Sequence, residues 1–251
     1  MSRTPRHPAP SPLIRWLPWV LLALLMPAGA TTAWAETVVG NGKIASEVRS
    51  TGSFNAIAMN GGIELKLRQG GTPLVVVHGD SNLLPLVETV IEADRSLQLR
   101  WKRGASVRSQ SPVYVEVVAP QVQAVSSAGS GAIDIDTLKV PRLTLAFNGS
   151  GDLRAKGLAT DDLAISIAGS SDLKLAGRAT RLTIEVRGSG DIDASQLRSD
   201  DVTVGIAGSG DVAVHAERTL AVSIAGSGDV VYSGSPSVQR SVAGSGSVRK
   251  R

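Results

Sequence analysis

Five aspartates recur in the second half of this chain at a nearly fixed interval: Asp152, Asp172, Asp191, Asp211 and Asp229. Each follows Gly-Ser-Gly or the near copy Gly-Ser-Ser. A column of carboxylates is a donor set for a hard cation, and adjacent members could hold Ca²⁺ between them. The competing reading is a solvated corner in which each carboxylate accepts backbone N–H groups of its own turn. Repulsion must be relieved either way, because carboxylates about 5 Å apart repel by roughly 0.8 kcal/mol even in water. The Ca²⁺-binding nonapeptide repeat looks similar, but its period of nine is absent.

Other chemistry is sparse. A serine column, Ser130, Ser150, Ser170, Ser189, Ser209, Ser227 and Ser245, shares the same corner. Its hydroxyls suit an axial polar ladder better than catalysis, since a nucleophilic serine needs a base. After residue 35 the only histidines are His78 and His215, and neither falls beside a distinctive Ser/Asp arrangement in sequence. Asp134/Asp136 and Asp191/Asp193 place two acids on one side of a strand, as glycosidases and lyases on β-helices do. Their sequence neighbours are mostly Ser, Ala and Thr, which favours a solvated face. No cysteine occurs, which excludes disulfides, thiol catalysis and cysteine metal sites. No catalytic residue and no cofactor are assigned.

The elements that position these residues follow from the repeat. The copies begin at Gly129, Gly149, Gly169, Gly188, Gly208, Gly226 and Gly244, in steps of 20, 20, 19, 20, 18 and 18 residues. A fixed period near 20 marks a solenoid. Leu143, Leu145 and Phe147 alternate with smaller residues, and later coils repeat this as Leu163/Ile165/Ile167, Leu182/Ile184/Val186, Val202/Val204/Ile206 and Leu220/Val222/Ile224. Period-two alternation is the pattern of half-buried strands. The second inward column runs through Ile133, Leu153, Leu173, Ile192, Val212 and Val230, and a thinner third holds Leu138, Leu158 and Leu197. Gly-Ser-Gly supplies one corner and Lys156-Gly157 a second. Antiparallel hairpins would alternate turn types, whereas one corner returns every coil. The pattern therefore predicts an all-β fold, a right-handed single-stranded parallel β-helix with coils of about 20 residues.

Residues 1–35 read as a secretory signal peptide. Arg3, Arg6 and Arg15 precede an apolar stretch from Trp16 to Met26, and Ala33-Trp34-Ala35 offers small residues for cleavage after Ala35. The apolar stretch is short for a bilayer span. Residues 36–120 form a less regular β region and cap, continuous with the solenoid. Within it, Asn82 to Val90 predicts a turn of helix with Ser81 as its N-cap. Residues 121–251 form the regular β-helix. The chain carries 26 Lys and Arg against 22 Asp and Glu, and removing the three signal arginines leaves 23 against 22. That balance, with 3% aromatic residues, argues against a nucleic-acid groove and against a stacking sugar cleft.

Phe54-x-x-Ile57, Gly62-Ile63-x-Leu65-x-Leu67 and Val75-x-Val77-x-Gly79-Asp80-x-Asn82-Leu83-Leu84, followed by the Gly-Ser-Gly-Asp units, resemble the bacterial head GIN domain family, the putative auto-transporter adhesins. The resemblance runs from Phe54 to Val248. It implies an exported right-handed β-helix without established catalytic residues. No translocator barrel follows Arg251, so display by the autotransporter route is not expected. The sequence thus points to an exported, non-catalytic protein, periplasmic or extracellular, with an adhesive, binding or envelope-structural role. Its partner would be a cell-envelope or extracellular protein or glycan, not nucleic acid, and it would not span the membrane after cleavage. Self-association through open coil ends is a further expectation. The alternative is a polysaccharide lyase or hydrolase on the same scaffold, which would combine Asp134 or Asp191 with arginine and aromatic side chains in one groove.

Overall fold

The structure is a computed structural model describing residues 37–251. The signal peptide read in residues 1–35 lies outside the described residues. The rest is a β-solenoid of about six turns with stacked parallel strands.

Its regular part holds β10 (Ala124–Gly129), β11 (Ile133–Lys139), β12 (Arg142–Gly149), β13 (Leu153–Gly169), β14 (Leu173–Gly188), β15 (Ile192–Gly208), β16 (Val212–Gly226), β17 (Asp229–Gly234), β18 (Ser237–Gly244) and β19 (Ser247–Lys250). These follow β1 (Thr37–Val39) to β9 (Tyr114–Ala119) of the cap, described below. From β13 to β16 each coil is one long bent strand closed by a single Gly-Ser turn. The second corner expected at Lys156-Gly157 is therefore not a turn. It is a bend inside β13, where the register to β14 slips between Ala155 and Leu158. The shortening to 18 residues falls at the same bend, where the β15–β16 register slips between Ala194 and Arg198.

A second slip in β15–β16 lies between Ser199 and Asp201, and beyond it the coils stack in register: Leu143, Leu163, Leu182, Val202 and Leu220 pair in succession. All three inward columns are buried. Each fully buried aliphatic side chain contributes about 1.5–3 kcal/mol. The stacked backbones satisfy each other's N–H and C=O groups, which no single coil could do.

The turn glycines are required by the close approach of coils. Gly188 has φ +137°, and a Cβ there would lie 2.2 Å from the carbonyl oxygen of Gly169.

The cap departs from a simple stack. Its strands are β1, β2 (Ile44–Arg49), β3 (Ala56–Gly61), β4 (Glu64–Gln69), β5 (Leu74–Asp80), β6 (Val87–Ile91), β7 (Ser96–Trp101), β8 (Ser106–Arg108) and β9. β3 and β4 form a coil on which β10 and β11 stack in parallel. On its other side lie β7 and β9, also parallel. β5 then runs antiparallel to β9, β6 antiparallel to β7, and β2 antiparallel to β5. Antiparallel strands thus cover the first end of the apolar column. The helical turn predicted from Asn82 to Val90 shrinks to a 3-10 turn, Leu84–Leu86, preceded by Leu83 without a side-chain cap. Ser81 is not its N-cap. Val87 onward joins β6, because its antiparallel ladder to β7, with Val87 buried, outweighs the weak local helical signal. A buried carboxylate, Asp80, accepts the Gly42 N–H at 2.8 Å and the Ser109 hydroxyl at 3.0 Å, fastening the first loop to the cap.

Candidate functional site

The Asp column lies along one outer corner, and its carboxylates have a backbone task. The N–H of Asp211 donates to Asp191 Oδ1 at 2.8 Å, that of Asp229 to Asp211 Oδ1 at 2.9 Å, and that of Ser247 to Asp229 Oδ1 at 2.8 Å. Asp191 donates to Asp172 Oδ1 over 3.4 Å. The acceptors therefore serve the next coil rather than their own turn, which corrects the expected donors, while the corner itself is solvent-exposed at Asp172, Asp191 and Asp211. The serine corner is held in the same axial sense by main chain: Ser189, Ser209 and Ser227 N–H groups each donate to a glycine carbonyl of the preceding coil at 2.9 Å. No bond joins the hydroxyls of that column among the described residues, so the expected hydroxyl ladder is a backbone ladder. No group of three or more His, Asp or Glu side chains suited to a metal ion occurs among the described residues.

Asp134 and Asp136 project from β11 onto an open lateral groove of about 480 Å³. Lys66, Arg68, Glu116 and Lys156 share it. Inter-coil register lines up Glu116, Lys66, Asp134, Arg154, Lys174 and Asp193 in one row. At strand spacings of about 4.8 Å, most neighbours in this row are of opposite sign. At its far end Asp193 accepts the Ser195 hydroxyl at 2.6 Å, and that bond, with the Ser195 N–H and nearby Lys174, holds its carboxyl below the ordinary aspartate range. Asp191 stands apart from this row, on the Asp corner. The groove joins acids with cations, but its lining includes no aromatic ring. Tyr114 is close by with both faces occupied: His78 stacks on it at 4.4 Å, and Lys66 Nζ lies 3.7 Å from its centroid.

A second row runs along another face. Arg142, Asp162, Arg181 and Asp201 are successive partners in register. Arg181 Nε binds Asp162 at 2.5 Å, and Asp201 accepts Thr219 Oγ1 at 2.8 Å as well as Arg218. These bonds hold both carboxyls below the ordinary aspartate range, Asp162 chiefly through Arg181 and Asp201 chiefly through Thr219.

The histidines have partners that sequence reasoning missed. Ser46 Oγ is 2.8 Å from His78 Nδ1, and Glu116 Oε2 is 3.4 Å from Nε2, close enough for attraction but without a hydrogen bond. Ser233 Oγ is 2.8 Å from His215 Nδ1, and Glu217 Oε1 is 3.0 Å from Nε2. Both arise from cross-strand pairs, Ser46 with His78 and His215 with Ser233, separated by 32 and 18 residues in sequence. They supply a hydroxyl, a base and a carboxylate, but acyl transfer also needs oxyanion donors and walls around the substrate. Of these groups only Glu116 lines one of the larger grooves; Ser46, His78, His215, Ser233 and Glu217 line none of them.

No helix among the described residues is long and apolar enough to cross a membrane. No curated protein matches the chain. Solved structures share its fold. A putative adhesin from Bacteroides fragilis superposes with a TM-score of 0.81 at 23% identity, covering 85% of this chain and 100% of its own. A putative lipid-binding protein from Parabacteroides distasonis gives 0.71 at 24% identity, covering 86% and 100%. A putative adhesin from Parabacteroides merdae gives 0.66 at 28% identity, covering 86% and 99%. Residues 53–236 match the family described as putative auto-transporter adhesin, head GIN domain, and the chain belongs to that family.

Proposed function

We propose that this is an exported, non-catalytic solenoid that binds a ligand of the cell envelope or its surroundings, in an adhesive or structural role. The observation that carries this is the charged row through Lys66, Asp134 and Arg154 beside an open groove. A shallow, rigid strip of fixed charges suits a polar surface, a protein or a glycan, better than a small apolar molecule. The family description points the same way. The name of the Parabacteroides distasonis structure raises lipid as another ligand class. The lining favours a polar one, since cations and acids alternate across the groove.

The test is a binding screen of residues 36–251 against arrayed envelope glycans and purified surface proteins, repeated with Lys66→Ala/Asp134→Ala/Lys156→Ala. Binding lost in the triple variant supports the groove. Binding unchanged moves the ligand elsewhere. Chain-length loss in a bound polysaccharide would replace the reading with the lyase or hydrolase alternative. Cell fractionation tests export, with processed protein expected in the periplasm or medium.

A further inference from the structure

Most cations of the regular coils stand against a carboxylate. Arg142 and Arg181 lie within 4 Å of Asp162, Arg178 of Asp200, Arg187 of Glu185, Arg198 of Glu217 and Arg218 of Asp201. Arg154 and Lys156 on β13 and Lys174 on β14 differ. All three are exposed, and among the described residues none has a carboxylate within 4 Å. They are also grouped. Arg154 and Lys174 are partners in register, so their backbones lie about 4.8 Å apart. Lys156 follows Arg154 by two residues on the same outward face, about 7 Å along the strand. Like charges directly opposite each other destabilise a sheet. The row from Glu116 to Asp193 sets like signs side by side only here.

The three cations line a recess of about 270 Å³ together with Gln196 and Asp193. That is below the roughly 300–1,000 Å³ of sites for drug-sized molecules, so the recess suits one small group. The register slips on both sides of it, between Ala155 and Leu158 in the β13–β14 pair and between Lys174 and Ala176 in the β14–β15 pair. Such irregularities re-aim outward side chains. Acids stand only at the rims. Asp193 is in register with Lys174, but its Oδ1 accepts the Ser195 hydroxyl at 2.6 Å and the Ser195 N–H at 3.1 Å. Asp134 is in register with Arg154, and with Asp136 it lines the larger groove on the other side.

We propose that the recess of Arg154, Lys156 and Lys174 is an anion site for the phosphate monoester of a phosphorylated sugar. This rests on the reading of the charged row as the binding face. A phosphate monoester carries close to two negative charges at neutral pH and three strong acceptor oxygens. The Arg154 guanidinium fork can meet two of those oxygens, while Lys156 and Lys174 act as point charges. A carboxylate or a sulfate ester brings a single charge to the same three cations. The carboxylates at the rims accept hydroxyl hydrogens, which suits a sugar ring beside the phosphate. They also repel further anions, which disfavours a continuous polyanion. Acyl chains would find no support, because the exposed lining is charged or polar and Ala155 and Leu175 are buried.

Isothermal titration calorimetry on residues 36–251 tests this with glucose 6-phosphate, glucose 6-sulfate, glucose and inorganic phosphate. Glucose 6-phosphate should bind at least ~10-fold more tightly than the other three, and Arg154→Ala/Lys174→Ala should weaken it at least ~10-fold. Arg142→Ala/Arg218→Ala removes the same charge from another face and should leave binding unchanged. No binding of glucose 6-phosphate at millimolar concentrations overturns the proposal. Equal binding of the sulfate or of inorganic phosphate does so too, as does an equal loss in both double variants. Phosphatidic acid vesicles that bind where the sugar phosphate does not also overturn it. If Arg154→Ala/Lys174→Ala does not fold, Arg154→Gln/Lys174→Gln carries the same comparison. The two readings fail separately. An arrayed ligand lost in Lys66→Ala/Asp134→Ala/Lys156→Ala, with no heat from glucose 6-phosphate, keeps the charged row as the binding face and removes this site alone.

Discussion

The amide of Asp211 and the carboxylate of Asp191 are bonded at 2.8 Å across two coils, although 20 residues separate them in the chain. The bond explains how like charges can be stacked here. From Asp172 to Asp229 each carboxylate gains an amide donor from the coil above it, and the amides of Asp191, Asp211, Asp229 and Ser247 gain an acceptor at the turn. The amide needs an oxygen, not a charge. Asp191→Asn should therefore be within about 0.5 kcal/mol of the natural chain, while Asp191→Ala should cost about 0.5–1.5 kcal/mol. Urea denaturation of both variants decides this, and equal losses would mean that the bond contributes nothing.

The same geometry bears on calcium. Oδ1 of Asp191, Asp211 and Asp229 already accepts an amide. Calcium requires about six to eight oxygen ligands, and no cluster of three acidic or histidine side chains suited to a metal occurs among the described residues. Titration with millimolar Ca²⁺ is expected to give no binding heat and no rise in melting temperature. A saturable heat with a matching rise would make the Asp column a cation site after all.

Turn glycines should be unequally replaceable. Gly188→Ala forces a side chain into a φ of +137° and against the Gly169 carbonyl. The backbone conformation alone costs about 1–3 kcal/mol, and the contact with a main-chain atom adds to it. Gly71 has no atom within 4 Å of a built Cβ and no positive φ. Gly71→Ala should leave the melting temperature nearly unchanged, and a comparable drop at both positions would refute the close-approach argument.

The reach of the sequence is clearest where neighbours in the fold are neighbours in the repeat. Arg142, Asp162, Arg181 and Asp201 each stand seven residues before a corner glycine, so their row could have been read from the period alone. The three inward columns were legible for the same reason. The groove was not: Lys66 meets Asp134 only because β3 and β4 are sandwiched between β7/β9 and β10/β11, an order that no repeat announces. The pairing of Ser46 with His78 likewise depends on an antiparallel register inside the cap. Lys156-Gly157 misled because a glycine that bends a strand and a glycine that turns a chain look alike in sequence.

The row of Arg142, Asp162, Arg181 and Asp201 makes stability depend on pH in a defined direction. Asp162 and Asp201 titrate below the ordinary aspartate value in the folded chain. A depressed carboxyl stabilises the fold fully above its unfolded pKa, near about 3.9, and that contribution disappears as pH falls through the lower folded value. Arg181 touches Asp162, so Arg181→Ala should remove most of the contribution of Asp162 and little of that of Asp201, which rests chiefly on Thr219. The loss will be small, because the Arg181 side chain is 60% exposed and water screens it. Melting curves of natural and variant chains should differ near pH 7, converge as pH falls through the depressed folded value, and converge also in about 1 M salt. A gap that persists unchanged at acid pH would show that Arg181 acts through the packing of its methylenes on the sheet, and the row would then be a consequence of register without electrostatic weight.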